Sequence, residues 1–294
     1  MGSRPTPIHL QEDVLPLVAW DYAPEAGDAP RVLALHGYLD VGRSFTTVAE
    51  RLRGAARLLA LDWRGHGRSG RVHPEASYHQ LDHLKDLARV LRELGERGLG
   101  PDLVLAHSMG GIVAFLHAAS RPDATPPLVL LDTLGGFPTR PREPWEAFAG
   151  VLERVLEPAP PFRSFADLEA GVAHLRLRNP ELDETAARRL ARWFLREEDG
   201  RWVVDVDPRV RGPNPIRLSE ETWRVGARRI TVPVRVLVPE RGILARVPET
   251  RERFEFLPDG RWCELADAGH PVHLTHPEVV AGLVRDTLVE LSAR

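Results

Sequence analysis

The sequence predicts an α/β fold: a mostly parallel central sheet with helices on both faces, interrupted by an inserted helical lid. Short apolar runs typical of buried strands alternate with segments whose apolar residues recur at three- and four-residue steps, as in amphipathic helices. Such an alternation favours a parallel sheet that is covered on both faces. The alternation stops after Gly135 and resumes near Val232. We therefore assign residues 1–136 and 226–294 to a core domain and 137–225 to a lid.

The core elements follow one another in a regular order. The longest predicted helix, near 77–95, has apolar residues at positions 81, 84, 87, 90, 91 and 94, which places them on one face. The predicted strands cover 7–11, 15–20, 31–36, 56–62, 103–107, 128–132, 232–238 and 261–265. The predicted core helices cover 45–52, 77–95, 112–120 and 278 onwards, and the lid is predicted to be mainly helical up to about residue 199.

Composition excludes several function classes. The chain has 294 residues and a formal net charge of −3, which gives no electrostatic reason to expect nucleic acid or an anionic membrane as a partner. A single cysteine, Cys263, excludes an internal disulfide and suits a reducing compartment. No apolar run approaches the ~20 residues of a membrane helix, and no secretory signal pattern is present. We expect a soluble cytoplasmic protein, with its oligomeric state left open.

The stretch from Leu103 to Gly111 carries the strongest chemical signal. An apolar strand pattern breaks at Ser108 between small residues, and a helical pattern begins at Ile112. This spacing matches the nucleophile elbow G-x-S-x-G, with Ala106 in place of the first glycine. A serine on such a sharp strand-to-helix turn is held in a strained conformation and needs small neighbours. The following backbone N–H lies at a helix N-terminus, where it can stabilise an oxyanion.

Three further loops strengthen this interpretation. His36-Gly37 follows one predicted strand, the glycine-rich loop from Asp62 to Ser69 follows the next, and Gly269-His270 lies near the C-terminus. With the elbow, these four loops in order make the chain resemble the α/β-hydrolase superfamily over nearly its whole length outside the lid. Within it, the chain resembles the serine hydrolase-like group. The resemblance implies the α/β-hydrolase fold.

The resemblance also implies a mechanism. Ser108 would attack an acyl carbonyl, and His270 would take its proton and return it to the leaving group. The backbone N–H groups of Tyr38 and Met109 would hold the oxyanion. The expected activity is hydrolysis of small to medium carboxylic esters, with thioesters or carbon–carbon bonds also open. The expected substrate is a small molecule, an apolar ester, and no cofactor is expected.

The third member of the triad departs from the superfamily pattern. The usual aspartate position in the loop after the strand near 234–238 is occupied by Gly242. Two carboxylates could replace it. Asp132 closes the preceding sheet strand, whereas Glu240 lies two residues early in the usual loop. We favour Asp132, because a strand end positions its carboxylate rigidly, and keep Glu240 as the alternative acid.

Other interpretations compete with this one. The histidines at 36, 66, 107, 270, 273 and 276 suggest a metal site, but no carboxylate or cysteine completes a recognisable ligand set, so no metal is expected. The absent acid at Gly242 favours a different class, a non-catalytic or weakly catalytic binding protein on the same fold.

Two features of the lid bear on what it contacts. Its aromatic residues suggest an apolar pocket wall, although they could equally form the lid's own core: Trp145, Phe148, Phe162, Phe165, Trp193 and Phe194. The arginine-rich segment 187–201 is typical of a solvated face. With the tryptophans and phenylalanine beside it, this segment could alternatively dock a partner or an amphiphilic substrate.

Overall fold

A computed structural model describes residues 5–23, 25–140, 143–157, 160–214 and 217–294. In these residues, ten strands form an eight-stranded sheet and a separate two-stranded hairpin. The strands are β1 Thr6–Leu10, β2 Leu17–Asp21, β3 Arg31–Leu35, β4 Arg57–Asp62, β5 Leu103–His107, β6 Leu128–Leu131, β7 Leu195–Glu198, β8 Arg201–Val204, β9 Val234–Arg241 and β10 Gly260–Gly269.

The large sheet has the order β1-β2-β4-β3-β5-β6-β9-β10. Its first two pairings, β1 with β2 and β2 with β4, are antiparallel, and every later neighbour is parallel. The mostly parallel sheet predicted from sequence is therefore confirmed. Strands buried on both faces show as continuous apolar runs, and β3, β5 and β6 have such runs.

Within the described ranges, ten α-helices accompany the sheet. They are α1 Thr46–Leu52, α2 Gln80–Glu96, α3 Met109–Ser120, α4 Glu143–Leu156, α5 Leu168–Arg178, α6 Glu184–Phe194, α7 Glu220–Arg229, α8 Glu249–Phe254, α9 Val272–Thr275 and α10 Pro277–Ser292. Helices α2, α3 and α7 bury apolar side chains in one core on one side of the sheet, and α1 and α10 do so in a second core. Among the helices that the structure describes, none is long and apolar enough to cross a membrane.

The segment between β6 and β9 has its own small core, built from α5, α6 and the β7–β8 hairpin around Phe165 and Leu190. Asp167 and Asp183 cap α5 and α6 by accepting hydrogen bonds from backbone N–H groups. The hairpin replaces the end of the helix expected up to about residue 199, so that expectation was wrong. Helix α7 differs from its neighbours in the segment, because its Trp223 packs into the main core.

The sheet topology determines where chemistry can occur. In a parallel sheet, the carboxyl ends of neighbouring strands lie at one edge. Strands β5, β6 and β9 are adjacent in that order, and the loops that follow them carry Ser108, Asp132 and Gly242. The histidine loop at the end of β10 reaches the same edge.

Candidate active site

Ser108 occupies the strained turn between β5 and α3. Its backbone has φ 50° and ψ −118°, a conformation that residues with a Cβ rarely adopt. The residues after Ser108 must be small, because the turn packs directly against the strand β3 and the loop after β6. A Cβ on Gly110 would lie 2.5 Å from the Leu35 carbonyl oxygen, and one on Gly111 would collide with the Thr133 side chain. The spacing of small residues in the elbow is thus a packing requirement of the sheet edge.

His270 is paired with a carboxylate. Its Nδ1 lies 2.6 Å from Asp132 Oδ2, and the Asp132 side chain is fully buried. Asp132 also accepts hydrogen bonds from the backbone N–H groups of Ile243 at 2.6 Å and Leu244 at 2.9 Å. An Nδ1–H that donates to this carboxylate leaves Nε2 as the basic nitrogen of the neutral ring. The loop that lacks the usual acid therefore supplies the amides that fix Asp132.

Gly242 has no side chain, and this leaves room for the Asp132 carboxylate from the neighbouring strand. A Cβ built on Gly242 would lie 2.5 and 2.6 Å from the two carboxylate oxygens of Asp132. The Asp132 carboxylate thus occupies the space beside residue 242 that a side chain there would need. Glu240 is engaged elsewhere, because its carboxylate accepts the backbone N–H of Asp267 at 2.8 Å. Of the two carboxylates predicted from sequence, the structure brings Asp132 to His270.

Ser108 and His270 line the same cavity, of about 470 Å³, together with Met109 and Tyr38. The Ser108 hydroxyl makes no hydrogen bond to any residue that the structure describes. Catalytic hydrogen bonds are often unformed before substrate binds. Gly37 brings the second loop close, since a Cβ there would lie 3.1 Å from Ser108 Cβ. In the described part of the chain, the backbone N–H groups of Tyr38 and Met109 have no protein acceptor.

A second cavity of about 650 Å³ meets the first at Tyr38 and His270, which line both. Phe162, Phe165 and Phe194 are among its mostly apolar walls. The other three aromatic residues singled out in the lid lie elsewhere. Trp145 and Phe148 are exposed on α4, at 75% and 47%, and Trp193 lines a different cavity.

A cluster that the sequence patterns did not predict adjoins His270. Asp40 accepts hydrogen bonds from Ser44 and from His273 Nε2, at 2.9 and 3.3 Å. Burial opposes ionisation of Asp40, but the hydrogen bond and charge of His273 hold its pKa well below the usual range. His107 lies beside this pair, and its Nε2 donates to the His270 carbonyl oxygen at 2.9 Å. The network ties the histidine loop to the loop after β3.

Among the residues that the structure describes, Asp40, His107 and His273 form a group that could bind a metal ion. One potential ligand atom from each lies within 4.8 Å of the others. Two of these groups, Asp40 and His273, also hydrogen-bond to each other and to Ser44, and the His107 ring lies 4.5 Å from that of His273. Burial, with the neighbouring charges of His273 and His270, lowers the pKa of His107 well below its ordinary value.

Other histidines near the site are buried and neutral. Burial lowers the pKa of His36, and it lowers that of His66 to about 3. His36 Nδ1 donates to the Gly37 carbonyl oxygen, while its Nε2 accepts the backbone N–H of Trp63. These rings therefore serve as hydrogen-bonding parts of the loops.

Comparison with known proteins is consistent with this arrangement. The model of the alpha/beta hydrolase family matches residues 32–283, and the chain belongs to that family. The Serine hydrolase-like protein of Danio rerio is 27% identical over 279 residues, which cover 87% of this chain and 81% of that protein. Esterase Rv0045c of Mycobacterium tuberculosis is 30% identical over 212 residues, covering 70% of this chain and 64% of that one.

Among solved structures, the hypothetical protein PA1622 of Pseudomonas aeruginosa superimposes with a TM-score of 0.84. It is 30% identical, and the match covers 99% of this chain and 100% of that one. The predicted superfamily and fold are thus confirmed, and the chain is a hydrolase.

Proposed function

We propose that the protein hydrolyses carboxylic esters through an acyl-enzyme, with Ser108 as nucleophile, His270 as general base and Asp132 as the acid of the triad. The contact that carries this proposal is the 2.6 Å approach of His270 Nδ1 to Asp132 Oδ2. It orients the imidazole and stabilises its charged form when the ring takes a proton. The strained turn at Ser108 supports the proposal, since such strain clusters at functional sites.

The proposed reaction proceeds in two halves. Ser108 Oγ attacks the ester carbonyl carbon while His270 Nε2 takes its proton, and the carbonyl oxygen becomes an anion. The N–H groups of Tyr38 and Met109 are proposed to hold that anion. The tetrahedral centre expels the alcohol, which takes the proton from His270. Water then attacks the acyl-Ser108 ester by the same route, which releases the acid and restores the hydroxyl.

The substrate we propose is an apolar ester small enough for two connected chambers. Their volumes, about 470 and 650 Å³, fall within the range of small-molecule sites. Because Tyr38 and His270 line both, the acyl and alcohol parts of an ester would extend to opposite sides of Ser108. Residues 137–225 are proposed to act as a lid, because they supply Phe162, Phe165 and Phe194 to the larger chamber.

The alternative, a non-catalytic binding protein, depended on the missing acid at Gly242. The position of Asp132 weakens that argument, since a carboxylate contacts His270 from the neighbouring strand. No other observation favours the binding protein over the enzyme.

A fluorophosphonate probe together with p-nitrophenyl esters tests the proposal. The wild-type protein is expected to be labelled at Ser108, and both labelling and hydrolysis are expected to disappear in Ser108→Ala and His270→Ala. Ser120→Ala, at an exposed serine that ends α3, is the matched control and should behave as wild type. Labelling that persists in Ser108→Ala, or a folded wild-type protein that neither reacts nor hydrolyses any ester, would overturn the proposal.

A further inference from the structure

A third cavity, of about 770 Å³, lies at the junction of the core and the segment between β6 and β9. We call it the arginine cavity. The core contributes the loop around Arg43 and the loop from Gly67 to Arg71, and the segment contributes the end of α6 and strand β7. Its walls hold five guanidinium groups and two carboxylates: Arg43, Arg68, Arg71, Arg192, Arg196, Glu197 and Asp205.

The ion pairs in the arginine cavity leave positive charge unbalanced. Asp205 lies 3.0 Å from Arg71 and 3.2 Å from Arg196. Within the described ranges, no carboxylate lies at ion-pair distance from Arg43, Arg68 or Arg192. Other arginines of the same segment are paired: Arg188 forms an ion pair with Glu169, and Arg189 forms one with Glu50. Arg68 and Arg192 are exposed, so water screens part of their repulsion, and an anion between the guanidinium groups would remove the rest.

The core half of the arginine cavity is rigid. The Asp62 carboxylate accepts the backbone N–H of Gly42 at 2.7 Å and that of Arg68 at 3.0 Å. It also accepts the indole N–H of Trp20 at 2.9 Å. One buried carboxylate therefore fixes both loops that carry the core arginines. A binding site held in this way loses little conformational entropy when a ligand binds.

Arg43 is held further by two aromatic rings. Its guanidinium carbon lies 4.9 Å from the centre of the Trp20 ring and 5.4 Å from that of Trp193. Its Nε is buried and has no hydrogen-bond partner in the described part of the chain. Burial lowers the pKa of Arg43, and so does the charge of Arg68, whereas the nearby Tyr22 and Asp62 act in the opposite direction. A bound anion would relieve both effects, because it would supply an acceptor and an opposite charge.

We propose that the arginine cavity binds the phosphate or pyrophosphate group of a small organic phosphate. Guanidinium groups suit this chemistry, since their planar N–H donors match phosphate oxygens in pairs. Phe194 and Leu195 connect the cavity to the catalytic region. Leu195 lines both the arginine cavity and the larger substrate chamber. Phe194, the preceding residue in the chain, lines the larger chamber. An anion bridging Arg43 and Arg192 would thereby fasten α6 to the core beside the substrate.

Titration calorimetry with pyrophosphate tests the proposal in the Ser108→Ala protein, so that the result does not depend on catalysis. Saturable one-to-one binding is expected, and it should weaken as ionic strength rises. Arg192→Gln and Arg68→Gln are each expected to weaken binding about tenfold, because each removes a charge-assisted hydrogen bond. Arg176→Gln is the matched control, since Arg176 lies on α5 and lines neither the arginine cavity nor the larger substrate chamber. No saturable binding, or equal weakening by the control variant, would overturn the proposal.

Two further arms distinguish the sources of the phosphate, using the wild-type protein. Hydrolysis of acetyl-coenzyme A is compared with that of S-acetyl-N-acetylcysteamine, which carries the same thioester without phosphates. A preference for the phosphorylated thioester that Arg192→Gln removes identifies a substrate head-group site. A change in p-nitrophenyl ester turnover on adding pyrophosphate, also removed by Arg192→Gln, identifies a site for a separate effector.

Discussion

The sheet edge and the segment between β6 and β9 differ in how much of their structure depends on exposed contacts. At the sheet edge, backbone amides and buried carboxylates fix each chemical group, as Ile243 and Leu244 fix Asp132. The segment joins the core through backbone hydrogen bonds, such as that from Asp207 N–H to the Gly65 carbonyl oxygen, and through exposed ion pairs such as Arg189 with Glu50. Exposed ion pairs contribute little to stability. On the proposed function, we therefore expect the sheet edge to carry the chemistry and the segment to select the substrate.

Side-chain exposure shows the same contrast. Leu105 in β5 is completely buried, whereas Leu156 at the end of α4 is 82% exposed. A fully packed region tolerates little change in volume, while an exposed helix face tolerates much more. We therefore expect substitutions at the sheet edge to affect every substrate alike and substitutions in the segment to alter selectivity.

The largest expected effect follows from changing the acid. Asp132→Asn should lower kcat for all esters by about 10⁴-fold, because an amide cannot hold the His270 tautomer or stabilise the imidazolium. Steady-state kinetics on p-nitrophenyl esters measure it. Glu240→Gln is the matched control, and its kcat should stay close to that of wild type. The reverse ranking of the two variants would show that Glu240 is the acid.

Gly242→Ala should have the next largest effect, about a 10²-fold loss of kcat. The added methyl would lie 2.5 Å from an Asp132 oxygen and would push the carboxylate away from His270. Gly282→Ala controls for the substitution itself, because a Cβ there meets only the end of Arg285, at 3.9 Å. Unchanged kcat in Gly242→Ala would contradict the shared space that we assign to residues 132 and 242.

A selectivity change of about tenfold is expected from Phe194→Ala. The substitution enlarges the larger chamber, so kcat/KM should shift between short and long esters by the 1–3 kcal/mol typical of apolar pocket contacts. Phe148→Ala, on the exposed face of α4, should leave that ratio unchanged. A uniform loss of kcat for all esters in Phe194→Ala would place this residue in the chemistry instead of the pocket wall.

The smallest expected effect concerns stability against pH. Burial lowers the pKa of His66 from 6.5 to about 3 in the folded protein. Below pH 6.5 the unfolded chain therefore takes up a proton that the folded chain does not, so the unfolding free energy falls as pH falls. The contribution is ~1.4 kcal/mol per pH unit for this histidine.

Urea titrations between pH 7 and pH 5 measure this slope. His66→Gln should make it shallower, whereas His9→Gln, at an exposed strand position, should leave it unchanged. Parallel slopes for wild type and His66→Gln would show that His66 is not the group responsible.

Local patterns made much of the fold and site predictable. The strands and the elbow at Ser108 depend on neighbouring residues, so short apolar runs and small-residue spacing suffice to find them. Asp132 was favoured because a strand end is a rigid position, and the structure does bring it to His270. Its pairing with the amides after Gly242 could not be foreseen, since those residues are distant in the chain.

The features that sequence patterns missed depend on distant contacts. Strand β7, Leu195–Glu198, consists of residues that also suit a helix, and only pairing with β8 makes it a strand. Asp40 and His273 lie far apart in the chain and meet through the fold. The arginine cavity likewise combines positions from four separate stretches of the chain, so the arginine-rich segment alone resembled a solvated face.

Because a side chain at 242 would overlap the Asp132 carboxylate, the acid cannot easily move from position 132 to position 242 in evolution. An aspartate introduced at 242 while Asp132 is present would force two carboxylates into one volume, where charge repulsion and steric overlap both oppose it. On the proposed triad, removing Asp132 first would leave the His270 imidazole without an acid. Either order of single substitutions passes through an impaired intermediate, so descendants of an ancestor with this arrangement are expected to retain it.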